Sequence, residues 1–188
     1  PRVVSLATDT GTVTALQPGH AVLVATSPTG GQGFAEVVVE GEPDVPEFQV
    51  RALVPGIAHT CALAGSDEDL TQGTLTASCW GWNFWGQLGD GLRGEQGEMF
   101  PSPRAVASTL RFRSLTASYG HTCALEGDGT AWCWGVNSRG KLGVDPDGLV
   151  TGGSPLPLAV AGGHRFTTIA AGYDHTCAVD DLGNTSCW

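Results

Sequence analysis

Basic residues are scarce in this chain of 188 residues. It has 9 Lys and Arg against 19 Asp and Glu, which gives a formal net charge of −10 and a pI near 4.7. Nucleic-acid binding draws on clustered Lys and Arg that neutralise phosphates, so we expect no nucleic-acid partner. No apolar run approaches the roughly 20 residues needed to cross a bilayer, so we expect no membrane insertion within this sequence.

Sequence signatures of enzyme chemistry are also missing. There is no G-x-S-x-G nucleophile motif and no Gly-rich loop that opens a helix. We therefore expect no catalytic residue, no cofactor and no metal site, and a non-enzymatic function. The chain begins with Pro1 and not with Met, and no signal segment follows, so we expect a piece excised from a longer protein.

What the chain does contain is an internal repeat. The motif His-Thr-Cys-Ala-Leu starts at His59 and His121, and recurs with a final Val at His175, so the copies are spaced 62 and 54 residues apart. Each copy closes with Cys-Trp, and in the first two a Gly-x-Asn-x-x-Gly-(Gln/Lys)-Leu-Gly turn follows. The copies span about 48–110, 111–164 and 165–188. Repeats of this length indicate one supersecondary unit that is stacked on its neighbours.

Each copy predicts a β-hairpin. In the second copy, residues 127–129 form a three-residue loop whose Gly129 suits a positive φ. This register places Cys123 directly opposite Cys133, within reach of a disulfide. The same count in the third copy, and a longer hairpin with the insertion GSDEDLTQGTLT in the first, predict the disulfides Cys61–Cys79, Cys123–Cys133 and Cys177–Cys187. An even number of cysteines in opposed pairs favours an oxidising compartment.

The histidine and tryptophan of the motif recur in every copy. A His two residues before a Cys shares its face of the strand, so part of a zinc site is one interpretation. A catalytic or metal site is needed once, whereas a packing solution is needed in every repeat, and this favours a hydrogen-bonded structural histidine beside a disulfide. The predicted structural residues are His59, His121, His175, Trp80, Trp134 and Trp188, with the three Trp side chains in the core.

Large aromatic residues stand in the first copy where the second has none. They are Trp82, Phe84 and Trp85, and the second copy has Val136, Ser138 and Arg139 there. Aromatic anchors are enriched in binding hot spots, which favours a contact surface formed with the acidic insertion of the same copy. Packing against that hairpin or against a neighbouring module is the alternative. The candidate partner-binding residues are Trp82, Phe84, Trp85, Asp67, Glu68 and Asp69.

The repeat, H-T-C-A-L, D-G and C-W-G-x-N-x-x-G-Q-L-G, resembles that of the regulator of chromosome condensation propellers, in the cysteine-containing form of bacterial secreted proteins. This resemblance covers about residues 48–188. It implies a β-propeller, usually of seven four-stranded blades, of which about two and a half are present. The connections 90–103 and 144–156, rich in Gly, Pro and Asp, are expected to be loops that collect on one face.

The residues before the repeats predict a different module. Four short β-type runs separated by turns occupy residues 1–40, and GTVTALQPGHAVLVATS resembles the second half of a bacterial immunoglobulin-like domain of group 2. Residues 41–47, with acidic residues and two prolines, predict a stiff, solvated linker.

The sequence thus predicts an all-β chain: part of an Ig-like β-sandwich, a linker and a partial β-propeller. The leading hypothesis is a secreted or cell-surface module of bacterial origin that binds a protein or glycan partner through propeller-face loops. The resemblance also implies two alternatives, a regulator similar to guanine-nucleotide exchange factors and a secreted enzyme inhibitor.

Overall fold

The computed structural model describes residues 49–144 and 152–188 in full, and the backbone of four strands before them. The chain divides into two compact units, Pro1–Pro46 and Glu47–Trp188. In the first unit, β1 (Val4–Ala7) pairs antiparallel with β2 (Thr12–Ala15), and β3 (Gly19–Thr26) pairs antiparallel with β4 (Gln32–Val39). These are the four predicted strands, whereas the Ig-like assignment stays a prediction and the predicted linker, residues 41–47, lies outside the described residues.

The second unit consists of three antiparallel sheets that follow one another along the chain. The first sheet consists of β5 (Gln49–Pro55), β6 (His59–Gly65), β7 (Thr76–Trp82) and β8 (Met99–Ala105). The second consists of β9 (Phe112–Ala117), β10 (His121–Glu126), β11 (Ala131–Gly135) and β12 (Ser154–Ala159). The third consists of β13 (Phe166–Ala171), β14 (Thr176–Asp180) and β15 (Thr185–Cys187). Strand β9 contacts β5 and β6, and β13 contacts β9 and β10. The predicted all-β fold with consecutive propeller blades is confirmed. None of the helices in the described residues has the length and apolar character to span a membrane.

The fourth strands, β8 and β12, lie partly within the two connections that were predicted as loops, and that prediction was wrong there. Both contain alternating prolines: Pro101 and Pro103 in β8, Pro155 and Pro157 in β12. Each is an edge strand of its sheet. An edge strand tolerates proline because one side of its backbone has no hydrogen-bonding neighbour, so the prolines that suggested loops are compatible with these strands.

The predicted hairpin register is present in the structure. Leu125 pairs with Ala131 and Cys123 with Cys133, and Gly129 has a φ of 89°. The three disulfides are Cys61–Cys79, Cys123–Cys133 and Cys177–Cys187, and no cysteine is free. Each disulfide joins the two strands of one hairpin (β6–β7, β10–β11 or β14–β15) and closes a short loop, which stabilises that sheet by about 3 kcal/mol in the loop-entropy model.

The insertion in the first hairpin folds as a short helix, α1 (Asp67–Gln72), which the sequence interpretation missed. Ser66 caps its first turn: the Ser66 hydroxyl accepts from the Asp69 amide, and the Asp69 carboxylate accepts from the Ser66 amide. This hydrogen bond from the Ser66 backbone holds the pKa of Asp69 below its usual value. Gly73 ends the helix in the left-handed region, with φ 69°. A serine followed by three acidic residues was the available signal.

The motif histidine links each sheet to the next. His59 Nε2 lies 2.8 Å from the Thr122 hydroxyl, which donates to the carbonyl of Gln87 at 2.9 Å. Trp134 Nε1 donates to the same carbonyl at 3.0 Å. Because the Thr122 proton is committed to the carbonyl, its oxygen accepts from the ring, which fixes the neutral Nε2–H tautomer of His59.

The same relay recurs between the second and third sheets. His121 Nε2 lies 3.0 Å from the Thr176 hydroxyl, which donates to the Lys141 carbonyl at 2.9 Å. Both histidines are buried, and burial lowers the pKa of His59 to about 4 and that of His121 to about 3. His175, the third motif histidine, is exposed. The predicted structural role therefore takes a specific form, a hydrogen-bonded contact between neighbouring sheets.

The motif tryptophans also pack between sheets. Trp134 is fully buried and lies against Gly89, whose φ is 73° and where an added Cβ would fall 2.7 Å from the Trp134 Nε1. Trp188 lies in the same way against Gly143. Trp80 and Trp188 are only half-buried, so the prediction of three core tryptophans holds fully for Trp134 alone. Trp134 and Trp188 each pack on the Leu-Gly turn of the preceding sheet. Trp80 belongs to the first described sheet of the repeats, so no described Leu-Gly turn precedes it.

The buried neutral histidines predict loss of stability on mild acidification. Unfolding restores the pKa of His59 and His121 to about 6.5, so below that pH the unfolded chain binds more protons than the folded one. We expect the free energy of unfolding to fall by roughly 1.4 kcal/mol per pH unit for each histidine between about pH 6 and 4.5. Urea titrations across this range measure the slope. His121→Gln should halve it, and an unchanged slope in that variant would contradict the relay.

Candidate functional site

The six candidate partner-binding residues fall into two groups at opposite ends of the first sheet. In the β6–β7 hairpin, His59 pairs with Gly81 and Ala64 pairs with Thr76. Trp82 therefore lies at the end that begins with His59, and α1 lies at the other end, about 20 Å away at the usual rise per strand residue. The structure does not bring the acidic residues to the aromatic ones, so they form no joint contact surface.

The acidic group has local partners. Asp69 caps α1, and Asp67 forms a salt bridge with Arg51 at 2.8 Å. The Glu68 carboxylate accepts a hydrogen bond from the side-chain amide of Gln72 at 2.9 Å. Three carboxylates in a first helical turn also complement the helix dipole. These contacts account for the acidic insertion without a partner.

The aromatic group extends across all three sheets. Trp82 contacts Phe84, Trp85 and Tyr119 at ring-centroid distances of 5.9, 4.7 and 5.9 Å. Trp85 packs edge-on against Tyr119 at 5.3 Å, and Tyr119 stacks on Tyr173 of the third sheet at 4.9 Å. We call Trp82, Phe84, Trp85, Tyr119 and Tyr173 the aromatic band. The three predicted aromatics pack on each other, and Trp82 and Trp85 also pack on Tyr119 of the second sheet, at the end of the first sheet opposite α1.

The band is accessible to solvent. Tyr173 is 55% exposed and Phe84 is 37% exposed, while the other three members are half-buried. Ile57, which occupies the position of Tyr119 and Tyr173 in the first repeat, is 66% exposed. Sequence reasoning missed both tyrosines, although each stands two residues before a motif histidine, as Ile57 does. The band and Ile57 thus form an exposed apolar and aromatic face at one end of the three sheets.

The turn that carries Phe84 and Trp85 of the band has the same asparagine hydrogen bond in both complete repeats. Asn83 accepts from the Leu88 amide at 3.0 Å and donates to the carbonyl of Leu92 at 3.2 Å. Asn137 accepts from the Leu142 amide at the same distance. The asparagine side chain, buried for Asn83 and half-buried for Asn137, thus fixes the turn in both repeats, and the residues between Asn and Gly are free to differ. Phe84 and Trp85 can therefore stand where the second repeat has Ser138 and Arg139, although Arg139 has a positive φ of 66° and Trp85 does not.

Trp85 also fills a contact that the next repeat builds with charges. Gly120 lies beneath it, and an added Cβ there would fall 2.5 Å from the indole ring. One repeat later Arg139 faces Asp174 at 3.4 Å. The same contact between neighbouring sheets is thus formed by Trp85 and Gly120 in one place and by Arg139 and Asp174 in the next.

The residue two positions after Arg139 also differs between the two repeats, and it too contacts Asp174 in the second repeat. Lys141 is buried, and its ammonium donates to Asp174 at 2.7 Å and to the Tyr173 carbonyl at 3.3 Å. This hydrogen bond from Lys141 holds the pKa of Asp174 below its usual value. The first repeat has the uncharged Gln87 there, whose side-chain oxygen accepts from the Trp85 amide at 3.0 Å, and Gly120 stands in the place of Asp174, so no carboxylate is needed. A buried lysine requires an anionic partner, which the third sheet supplies.

The motif residues are engaged in structural contacts. Among residues 49–144 and 152–188, no group of three or more His, Cys, Asp or Glu is arranged to hold a metal ion. The imidazoles of His59 and His121 face threonine hydroxyls, and all six cysteine sulfurs are in disulfides. The aromatic band is the solvent-exposed cluster of rings in this part of the chain.

Comparison with known proteins agrees with the repeat structure. The sequence profile of the regulator of chromosome condensation (RCC1) repeat matches residues 79–125 and 128–179, more than half of the chain, and a second RCC1 profile matches residues 112–141. This chain belongs to the RCC1 repeat family.

Curated relatives share this RCC1 repeat. The chain is 28% identical to the ultraviolet-B receptor UVR8 of Arabidopsis thaliana, over 58% of the chain and 24% of the relative. It is 29% identical to the mitochondrial RCC1 domain-containing protein RUG3 of the same plant, over 81% and 33%. It is 27% identical to the guanine nucleotide exchange factor SRM1 of Saccharomyces cerevisiae, over 79% and 34%. The chain thus spans about a third or less of these relatives.

The fold is shared with a solved RCC1 structure. The crystal structure of Prp20p from S. cerevisiae superposes with a TM-score of 0.64 at 24% identity, over 74% of this chain and 33% of Prp20p. That protein was studied for its binding to Gsp1p and histones. At this identity the likeness establishes the fold.

The Trp85–Gly120 contact predicts a context-dependent mutation. Gly120→Ala introduces a Cβ under the packed indole, and we expect it to lower the free energy of unfolding by about 1–3 kcal/mol. In a Trp85→Arg background, which reproduces the second repeat, the same change should be nearly neutral because the ring is absent. Urea unfolding of the four proteins of this cycle measures the coupling. An equal loss in both backgrounds would show that Trp85 does not restrict position 120.

Proposed function

We propose that this chain is part of a non-enzymatic, extracellular propeller that binds a protein partner through the aromatic band. The observation that carries the proposal is the band itself: five aromatic side chains from three consecutive sheets, joined by ring contacts and open to solvent. Rigid aromatic residues supply large contact areas with little loss of side-chain entropy, and they dominate binding hot spots.

The surroundings of the band support a protein partner. Met99, which pairs with Trp82, and Leu92 of the connecting loop are 58% and 55% exposed, so apolar surface continues beyond the rings. Glu95 and Glu98 of the same loop are exposed beside it. An apolar centre with carboxylates at its edge is complementary to a protein surface whose apolar residues are bordered by Lys or Arg.

The extracellular part of the proposal rests on the disulfides. Cytosolic proteins of this kind keep thiols reduced, whereas here every cysteine is paired within its own sheet. A regulator similar to guanine-nucleotide exchange factors, the alternative suggested by relatives such as SRM1, would work in a reducing compartment. A secreted enzyme inhibitor is a special case of the proposed protein binding and would use the same band.

Expression of the protein in an oxidising compartment tests the extracellular part of the proposal. We expect the intact mass of the protein, measured with and without reduction and alkylation, to correspond to disulfides 61–79, 123–133 and 177–187. Reduction should lower thermal stability, because each bond closes a hairpin. Six free thiols after expression in an oxidising compartment would argue for an intracellular protein.

Exchange of band residues for those of the second repeat tests the binding surface. Trp82→Val with Phe84→Ser should weaken the affinity for a partner isolated from an extracellular fraction about 10- to 100-fold, because both rings are removed from the contact centre. The matched control, Asp67→Asn with Glu68→Gln, changes the opposite end of the same sheet and should leave affinity unchanged. Titration calorimetry with the purified partner gives the values. Unchanged affinity in the band variant, or an equal loss in the control, would exclude the band as the site.

A further inference from the structure

The aromatic band ends at a cation beside the third sheet. Arg139 occupies in the second repeat the position that Trp85 has in the first, and its side chain is 75% exposed. Trp85 packs on Tyr119 of the following sheet, with ring centroids 5.3 Å apart. Arg139 likewise faces the following sheet, where its guanidinium lies 3.4 Å from Asp174, the residue after Tyr173. The stack of Tyr119 on Tyr173 therefore ends beside a guanidinium group.

The carboxylate of Asp174 is shared by two cations. Its Oδ1 accepts from the buried Lys141 ammonium at 2.7 Å, while Arg139 Nη1 is 3.4 Å from its Oδ2. The hydrogen bond from Lys141 is the main reason why the pKa of Asp174 lies below its ordinary value, so this carboxylate is ionised at neutral pH. Two cations and one carboxylate give the cluster a net charge of +1, on a chain whose formal net charge is −10.

The Arg139 guanidinium has unused hydrogen-bond donors. A guanidinium carries five N–H donors in a planar fork that fits a carboxylate. Within residues 49–144 and 152–188, the Arg139 side chain forms the ion pair with Asp174 and donates no hydrogen bond. The fork is therefore available to an anionic ligand that approaches from solvent.

The backbone at Arg139 is in an unusual conformation. Its φ is 66°, and in the described part of the chain no other residue except glycine has a positive φ. The left-handed region costs free energy for a residue with a Cβ, so glycine would suit this position better on backbone grounds alone. An arginine in this conformation supports a role for its side chain.

We propose that Arg139 binds a carboxylate of the protein partner, an Asp or Glu side chain that is adjacent to an apolar or aromatic residue seated on Tyr119 and Tyr173. The proposal rests on the proposed function, because it assigns the contact at one end of the aromatic band. The two ends differ in charge: Glu95 and Glu98 border the band at the first sheet, and Arg139 ends it at the third. This polarity favours one direction of a bound segment, with its basic residue toward the glutamates and its acidic residue toward Arg139.

A capped dipeptide, acetyl-Trp-Glu-amide, is the probe, and acetyl-Trp-Gln-amide is the neutral control with the same ring. In chemical-shift titrations of the folded chain at low salt and neutral pH, the acidic dipeptide should saturate with a dissociation constant on the order of 1 mM. The neutral dipeptide should bind about threefold more weakly, since it lacks the ion pair. Salt at about 0.5 M should remove this difference, because screening weakens exposed charge pairs. Equal affinities at low salt, or no saturation by the acidic dipeptide, would overturn the proposal.

Substitutions at two arginines locate the carboxylate. Arg139→Gln keeps most of the side-chain length without the charge and should abolish the preference for the acidic dipeptide, whereas Arg139→Lys should keep part of it, because only the fork is lost. Arg165→Gln is the matched control, since the Arg165 side chain is 54% exposed and lies 3.5 Å from Asp128. Arg165 precedes β13 and Tyr173 follows it, so the two sites are about 20 Å apart. A preference that survives in Arg139→Gln, or that is lost equally in Arg165→Gln, would contradict the proposal.

The source of the carboxylate is tested with acetyl-Gln-Trp, which carries a free terminal carboxylate. If this dipeptide binds more tightly than acetyl-Trp-Glu-amide, the site recognises a chain end and the proposal is wrong.

The result is separable from the test of the aromatic band. If both dipeptides bind equally while Trp82→Val with Phe84→Ser still weakens partner binding, the carboxylate contact is wrong and the proposed function stands. If the acidic preference depends on Arg139 and Arg139→Gln also weakens partner binding, the contact at this end of the band is supported.

Discussion

The hydrogen bond from a motif histidine to the threonine of the next sheet is the contact on which the other features depend. A single antiparallel sheet of this size cannot bury both faces, so its stability comes from its neighbours. The imidazole, the threonine hydroxyl and the backbone carbonyl of the Leu-Gly turn form one relay, and the motif tryptophan bonds the same carbonyl in the first interface. This explains why His, Thr and Trp recur together in every repeat, beside the disulfide that joins the two strands of the hairpin.

Around this constant relay the inter-sheet contacts vary in compensating pairs. A ring over glycine joins the first two sheets, whereas Lys141 and Arg139 around Asp174 join the second and third. The variation falls between the Asn and the Gly of the turn and at the residue after that Gly, in a segment whose backbone is held by the asparagine side chain. The members of the aromatic band occupy positions that the relay does not use, and so these positions can differ between repeats.

The disulfides and the structural role of the motif histidines could be predicted from the sequence, because comparison of the repeat copies shows which residues recur. Cys123 opposite Cys133 follows from a three-residue loop, and a histidine repeated three times indicates packing rather than catalysis. Sequence patterns failed where long-range geometry decides. They placed the prolines of β8 in a loop because propensity does not reveal an edge strand. They also grouped Asp67 with Trp82, since proximity along the chain does not show which end of a strand each occupies.

The disulfides of the described repeats stay within single sheets, while the side-chain contacts between these sheets are non-covalent. Two neighbouring blades can therefore separate transiently without breaking a disulfide, and each blade keeps its hairpin intact while it does so. For the same reason a whole repeat can be duplicated or lost in evolution without leaving an orphan cysteine. The arrangement makes the blade both the unit of mechanical opening and the unit of genetic change.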